Sequence, residues 1–298
     1  MKVSVIIPNW NGESLLKINI PYLLEAVKIQ KNSIAEIIVV DNGSRDGSVT
    51  YLEGLGNPVL KIVKIQKNLG FLVAVNRGVK VSKEDLICLL NNDVRVTNNF
   101  LVKPTKHFKE RNVFGVGLHE KGEGPSIGYF KQGFIDIARG VENNKLQNTF
   151  WVSGGSGIFR KSFWQKLGGF DESLLAPFYW EDFDISYRAM KRGYKLLWEP
   201  DSLVYHEHES TSKLLNKSYT NFTKERNQLL VIWKNITSRY LFRQHVFGLI
   251  KRTLMHPGYI RIIFAAMIKL TLIINKRRIE VKESRVADEE ILSKWTYQ

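Results

Sequence analysis

The stretch Ile37-Ile38-Val39-Val40-Asp41-Asn42-Gly43-Ser44 runs four apolar residues straight into an acid, an amide, a glycine and a hydroxyl. A strand that is apolar at every position needs a sheet covered on both faces, which is the habit of parallel sheets with helical crossovers. Its polar end is turn chemistry, because Asn and Gly accept left-handed backbone and Asp and Ser bond their own turn. The flanking sequence repeats this pattern. Val3 to Pro8 reads as a strand, and residues 13–31 as a helix with Leu16, Ile20, Leu23 and Val27 near helical spacing, interrupted early by Pro21. Strand Val59 to Ile65, a helix from about Gly70 to Val81 and strand Leu86 to Leu90 follow. The alternation predicts an α/β fold with a mostly parallel central sheet flanked by helices.

In such sheets ligands sit outside the carboxyl ends of the strands. Three polar segments project there: Asn9-Trp10-Asn11-Gly12, Asp41-Asn42-Gly43-Ser44 and Asn91-Asn92-Asp93. A later acidic cluster, Trp180-Glu181-Asp182-Phe183-Asp184, opens a predicted helix over Glu181–Arg192 whose stop is Gly193. Between these lie residues 118–148, rich in Gly, Lys, Glu and Asn without sustained periodicity, which read as an excursion or lid before Trp151. The Gly-rich segment Trp151-Val152-Ser153-Gly154-Gly155-Ser156-Gly157 has neither a Walker lysine nor a Gly-x-Gly-x-x-Gly fingerprint, so it is not a standard phosphate loop. Its glycines let backbone approach a ligand closely. Leu196-Leu197-Trp198 and Leu203-Val204-Tyr205 read as two short strands.

The chain has 298 residues, 44% of them apolar, enough for a substantial core. Its one cysteine, Cys88, sits inside an apolar strand, so a disulfide framework is excluded and a reducing compartment is expected. The first apolar run stops at Pro8 with no small-residue cleavage site, which reads as a strand and not a signal peptide. The net charge of +15 is uneven: residues 1–210 hold 27 Lys/Arg against 23 Asp/Glu, and residues 211–298 hold 17 against 6. After about residue 215 the chain reads as helical and basic. Its apolar stretch 259–274, broken by Arg261 and Lys269, is too short and charged to span a bilayer and suits an amphipathic helix at a membrane surface.

Taken in order, Val3-Ser4-Val5-Ile6-Ile7-Pro8, Val39-Val40-Asp41-Asn42-Gly43-Ser44, Leu90-Asn91-Asn92-Asp93 and Glu181-Asp182 resemble family 2 glycosyltransferases over roughly residues 1–235. The finer likeness is to the rhamnosyltransferase-like enzymes of bacterial polysaccharide assembly. The resemblance implies a GT-A fold, Rossmann-like, spanning residues 1–213, with a nucleotide-binding part about 1–117, an acceptor-binding part about 149–213, and a basic helical region over 214–298. It implies an inverting sugar transfer from a UDP- or dTDP-sugar, such as dTDP-rhamnose, to a hydroxyl of a saccharide or lipid-linked saccharide. The expected location is cytoplasmic, peripheral at the membrane's cytoplasmic face, with the basic region on anionic lipid.

The same resemblance assigns roles. Asp41 matches the aspartate that contacts the base, where a carboxylate accepts from the imide N–H of uracil or thymine; its other reading is a turn residue. Pro8, Asn9, Asn11, Asn42 and Asn92 line the same nucleotide side, and Arg226, in Lys224-Glu225-Arg226-Asn227, would neutralise the leaving diphosphate. Asp93 matches a ligand of a divalent cation, Mn2+ or Mg2+, bridging the phosphates. The family pattern is Asp-x-Asp, and Asn91 stands at its first position here. His206 is a second metal ligand, with His208 as its alternative. Asp182 matches the general base, which must reach the acceptor hydroxyl, while Glu181, Trp151, Gly154 and Gly155 line the acceptor side. Both acids would also favour a helix N-terminus without any chemistry. Rival classes are a sugar-nucleotide pyrophosphorylase, which lacks its Gly-rich signature here, a nucleic-acid-binding protein, for which no recognition motif accompanies the charge, and a catalytically inactive scaffold.

Overall fold

The chain is described by a computed structural model over residues 1–207 and 216–294. The first strand, β1 (Val3–Asn9), is buried along nearly its whole length and turns alternate residues to the two faces of a sheet. Val5 and Ile7 pack with Leu16, Ile20 and Leu23 of α1 (Glu13–Lys28), whereas Ile6 packs in a second cluster with Leu72 and Val75. β2 (Ile34–Asn42) follows, then α2 (Ser48–Gly54), β3 (Leu60–Ile65), α3 (Phe71–Val81) and β4 (Leu86–Leu90). A Cβ at Gly78 of α3 would run into Ile6 and Val40, so the glycine lets this helix lie close on the sheet.

These four strands are parallel in the order β3-β2-β1-β4. The chain winds outward from β1 to β3, and α3 then carries it back to the other side of β1. That reversal opens a crevice at the carboxyl ends of β1 and β4. β5 (Val94–Val96), α4 (Pro104–His107) and β6 (Val113–Glu120) come next, then β7 (Ser126–Lys131), β8 (Phe134–Arg139), β9 (Gln147–Asn148) and β10 (Ser156–Arg160). α5 (Lys161–Leu167), α6 (Glu172–Leu175), α7 (Glu181–Lys191) and β11 (Lys195–His206) complete this part. β10 runs antiparallel between β4 and β6, and β11 lies parallel beside β6 with β5 and β9 antiparallel to it.

The expected mostly parallel, helix-flanked sheet is therefore present, with local differences. Pro21 lies inside α1 and does not interrupt it, because Leu16, Ile20, Leu23 and Ala26 keep one buried face on both sides of the proline. α1 ends at Lys28 and a 3-10 turn covers Gln30–Asn32. Residues 118–148 are not an irregular excursion. They hold the end of β6, the antiparallel hairpin β7-β8 and β9, and the hairpin closes through Gln132 and Gly133, both at positive φ (51° and 87°). Two-residue turns of that kind match the twist of paired strands. The two short strands expected at 196–205 are one strand, β11, with a register shift between Glu199 and Leu203.

The basic region is helical as expected: α8 (Lys217–Asn235), α9 (Arg239–Met255), α10 (Ile260–Met267), α11 (Leu270–Glu283) and α12 (Asp288–Ser293). The stretch 259–274 is not one helix, since the segment Pro257–Met267 meets Leu270–Glu283 at a 71° bend. Among the described residues no single helix is long and apolar enough to cross a membrane. Leu229, Leu230, Val231 and Ile232 of α8 are fully buried in the same cluster as Ile6 and Phe159. Lys234 reaches Asp171 and Asp184 at 2.9 Å each, and Lys276 of α11 reaches Asp171 at 2.9 Å. Lys191 and Asp288 form a fully buried pair at 3.0 Å. The expected boundary at 213/214 and His208 lie outside the described residues.

Candidate active site

Strand register places the first polar groups side by side. Asn9 and Asp41 are partners across β1 and β2, and the Asn9 amide donates to Asp41 Oδ1 at 3.3 Å. Asn92 donates to Asn9 Oδ1 at 2.8 Å, so one hydrogen-bonded line crosses the ends of β4, β1 and β2. Asp41 Oδ2 accepts from the Ser44 N–H at 3.1 Å, which is the turn role the sequence allowed. Pro8, half-buried, precedes Asn9 in β1 opposite Val40. Asn11 is exposed at φ 49° and accepts from the Arg45 N–H. Asn42 turns away from this line and pins the following loop, donating to Asn68 Oδ1 (2.9 Å) and Gly70 O (3.1 Å).

Asp93, just past β4, meets His206 at the end of β11, with Nε2 to Oδ1 at 3.1 Å. The other ring nitrogen lies 3.3 Å from Glu120 Oε2 at the end of β6. Glu120 was not foreseen from sequence; it is buried, accepts from the Ser156 hydroxyl and lies 3.8 Å from Arg139. Burial alone would lower the His206 pKa, but hydrogen bonds to Asp93 and Glu120 outweigh it and raise the imidazole to about 9. Asn91 stands 3.5 Å from His206 Nε2 through its amide nitrogen. Among the described residues no group of three His, Cys, Asp or Glu has metal-holding geometry. A carboxylate and an imidazole facing each other at this spacing nevertheless suit a cation that completes its shell with phosphate oxygens and water.

The Gly154-Gly155 turn joins this cluster to the carboxylate pair. The Gly155 carbonyl accepts from the Asn91 N–H at 2.9 Å, and a Cβ at Gly155 would strike the Asn91 side chain. The Gly154 N–H favours the ionised form of Asp182. Asp182 also accepts from the Phe183 N–H at 2.7 Å. Burial raises the pKa of both Glu181 and Asp182, and Asp182 and Asp184 raise Glu181 further through repulsion, whereas Arg139 and the two N–H groups partly offset the rise of Asp182. Glu181 Oε2 is buried without a hydrogen-bond partner. Burial thus leaves both acids raised, Glu181 to about 8, with Arg139 and the two N–H groups opposing the rise at Asp182.

Trp151, expected on the acceptor side, is 7% exposed, and Arg139 lies over its ring at 5.3 Å. Arg226 points two of its three nitrogens into the protein, at Asn227 Oδ1 and the Ala176 carbonyl. Its neighbour does more: the buried Asn227 amide donates to Leu175 O, Phe178 O and Tyr179 O at 2.8–3.0 Å. These carbonyls belong to the turn that leads into Glu181 through Tyr179 and Trp180, both left-handed at φ 73° and 74°. The sequence signal was the Arg-Asn pair, read for its charge and not for its amide. Arg139, which reaches Glu120 and steadies Asp182, carried no sequence signal. It ends the hairpin whose turn rests on α9, where His245 Nδ1 meets Gly133 O at 2.6 Å.

Asp41 and the carboxylate–imidazole pair thus lie at strand ends of the sheet, and the Gly154-Gly155 turn links the latter to the buried acid pair. The glycosyl transferase family 2 profile matches residues 4–168, and that of glycosyl transferase family group 2 matches residues 126–274. The chain belongs to glycosyl transferase family 2 and is a glycosyltransferase. An O-antigen chain rhamnosyltransferase of Salmonella typhimurium is 25% identical over 226 residues, covering 72% of this chain and 68% of its own length. One from Salmonella anatum is 24% identical over 203 residues, with coverage of 63% and 61%. The fold is GT-A. GalNAc-T7, solved with UDP, GalNAc and Mn2+, superposes with a TM-score of 0.65 at 16% identity, covering 87% of this chain and 57% of that one. TarS of S. aureus with UDP-GlcNAc gives 0.58 at 18% identity, covering 85% and 74%.

Proposed function

We propose that this glycosyltransferase moves a sugar from a UDP- or dTDP-linked donor, in the manner of the rhamnosyltransferases it resembles, to a hydroxyl of a saccharide or lipid-linked saccharide, inverting the anomeric carbon. The observation that carries this reading is the Gly154-Gly155 turn, which brings Asp182 and the Asp93–His206 pair to its two sides. The diphosphate belongs beside Asp93 and His206, with the base toward Asp41. Asp93 and His206, the imidazole having given up its extra proton, would hold a divalent cation, Mn2+ or Mg2+, which would supply charge to neutralise the leaving diphosphate. Asp182 takes the proton of the acceptor hydroxyl as that oxygen attacks the anomeric carbon and the bond to the diphosphate breaks. One displacement with no covalent sugar–enzyme intermediate inverts the configuration. Glu181, pushed up to about 8, is protonated near neutral pH and can donate to the acceptor.

Calorimetric titration with UDP and with dTDP, with and without Mn2+, tests the site. The expected result is metal-dependent binding to the wild type, abolished in Asp93→Ala and retained in Asp182→Asn. Turnover in Asp182→Asn should fall by about 10²–10⁴-fold. Absence of nucleotide binding under every metal condition would overturn the reading.

A further inference from the structure

From Arg226 to Ile279 the chain carries eleven Lys and Arg and not one Asp or Glu. The structure shows where the apolar residues of that stretch go. On α9 the inward face buries Leu241 and His245, while Tyr240, Phe247, Ile250 and Leu254 fall at helical spacing on the outward face, Phe247 68% and Leu254 78% exposed. Arg243 and Lys251 share that face. α10 repeats the arrangement: Ile262 and Ala266 are buried, whereas Phe264 and Ile268 (86% exposed) point outward beside Arg261. Ile274 and Arg278 extend the same mixture onto α11.

A surface helix of a water-soluble protein normally turns its polar side outward, and exposed apolar groups of this extent mark a binding face. We infer that the outward faces of α9 and α10 dock in the plane of an anionic lipid bilayer. Phe247, Leu254, Phe264 and Ile268 enter the headgroup–acyl boundary while Arg243, Lys251 and Arg261 meet lipid phosphates. Charge selects this occupant over a second copy of the chain, because the face offers no carboxylate to meet a neighbour's cations. The dock does not depend on the sugar-transfer chemistry.

Co-sedimentation of the full chain with phosphatidylcholine vesicles, with and without phosphatidylglycerol, tests it, alongside light scattering without lipid and a UDP titration. The wild type should sediment with the anionic vesicles, and high salt should weaken this. The double variants Phe247→Glu/Leu254→Glu and Phe264→Glu/Ile268→Glu should each lose about tenfold or more in vesicle affinity while binding UDP unchanged, which shows that they are folded. The proposal is overturned if the wild type stays in the supernatant, if the variants sediment like the wild type, or if the wild type is a dimer that the variants convert to monomers. Vesicle binding with neither UDP nor dTDP bound under any metal condition would sustain the dock and sink the donor reading alone.

Discussion

Glu181 and Asp182 are neighbours in sequence yet sit in different electrostatic surroundings, and Arg139 is one source of the difference. Because Asp182 must be ionised to accept a proton, kcat/KM should rise with pH through its pKa. Replacing Arg139 by Gln removes a group that lowers this pKa, so the acid limb of the pH–rate profile should move to higher pH. Glu181 carries the opposite stability signature. Its folded pKa, about 8, lies above its ordinary 4.5, so the native state holds a proton that the unfolded chain releases between those values. Its contribution to stability therefore falls as pH rises across that window. Glu181→Gln should raise the urea midpoint at pH 8 relative to wild type, and a lowered midpoint would contradict the shift. Asp41, Asp93 and the acid pair were legible because each stands where an apolar run or a helix start forces a polar group to the sheet's edge. Glu120 and Arg139 were not, since only the pairing of β6 with β11 and the closure of a hairpin bring them there.

The turn before α7 is held by an element some fifty residues away in the chain. Asn227 on α8 ties down three carbonyls of residues 175–179, and behind them Tyr179 and Trp180 keep left-handed backbone that side-chain-bearing residues rarely adopt. Asn227→Ala frees those carbonyls and lets the helix start drift. A misplacement near 1 Å costs about 10²-fold in rate, so kcat should drop by that order while the UDP dissociation constant stays put. Equal losses in both would instead indicate general unfolding. Asn227→Asp, which cannot donate, should do no better than alanine. The sequence predicted α3, β4 and α7 to within a residue, because each is a periodic run with a clear stop. It missed the β7-β8 hairpin because Phe134 and Ile135, adjacent in the chain, are both buried, which erases the alternation a strand usually shows.

Across the whole molecule the helical C-terminal region shares one core with the sheet. Read from sequence, its basic residues belong on anionic lipid. In the structure Lys234 is buried between Asp171 and Asp184, and desolvation that would raise both carboxyls is outweighed by their cations, leaving each below its usual value. Carboxyls lowered on folding add stability that is present above their unfolded pKa of about 3.9 and is lost as pH falls toward the folded value. The urea midpoint should accordingly decline steeply below about pH 4. Lys234→Met takes one charged donor from two buried carboxylates that keep Lys276 and Arg188, and should cost about 1.5–3 kcal/mol at neutral pH, read from the same urea curves. A change below 1 kcal/mol, the scale of an exposed pair, would show that the network is not closed to water. The helical content of the region was legible from its apolar runs; its attachment was not, because a buried lysine and a solvated one are spelled alike. Because Asp171 of the sheet half draws Lys234 and Lys276 from the helical half, and Asp184 shares Lys234 with its own Arg188, a chimera that joins this sheet half to another enzyme's helices inherits carboxylates short of cations at its centre. The two halves can be exchanged between relatives only together.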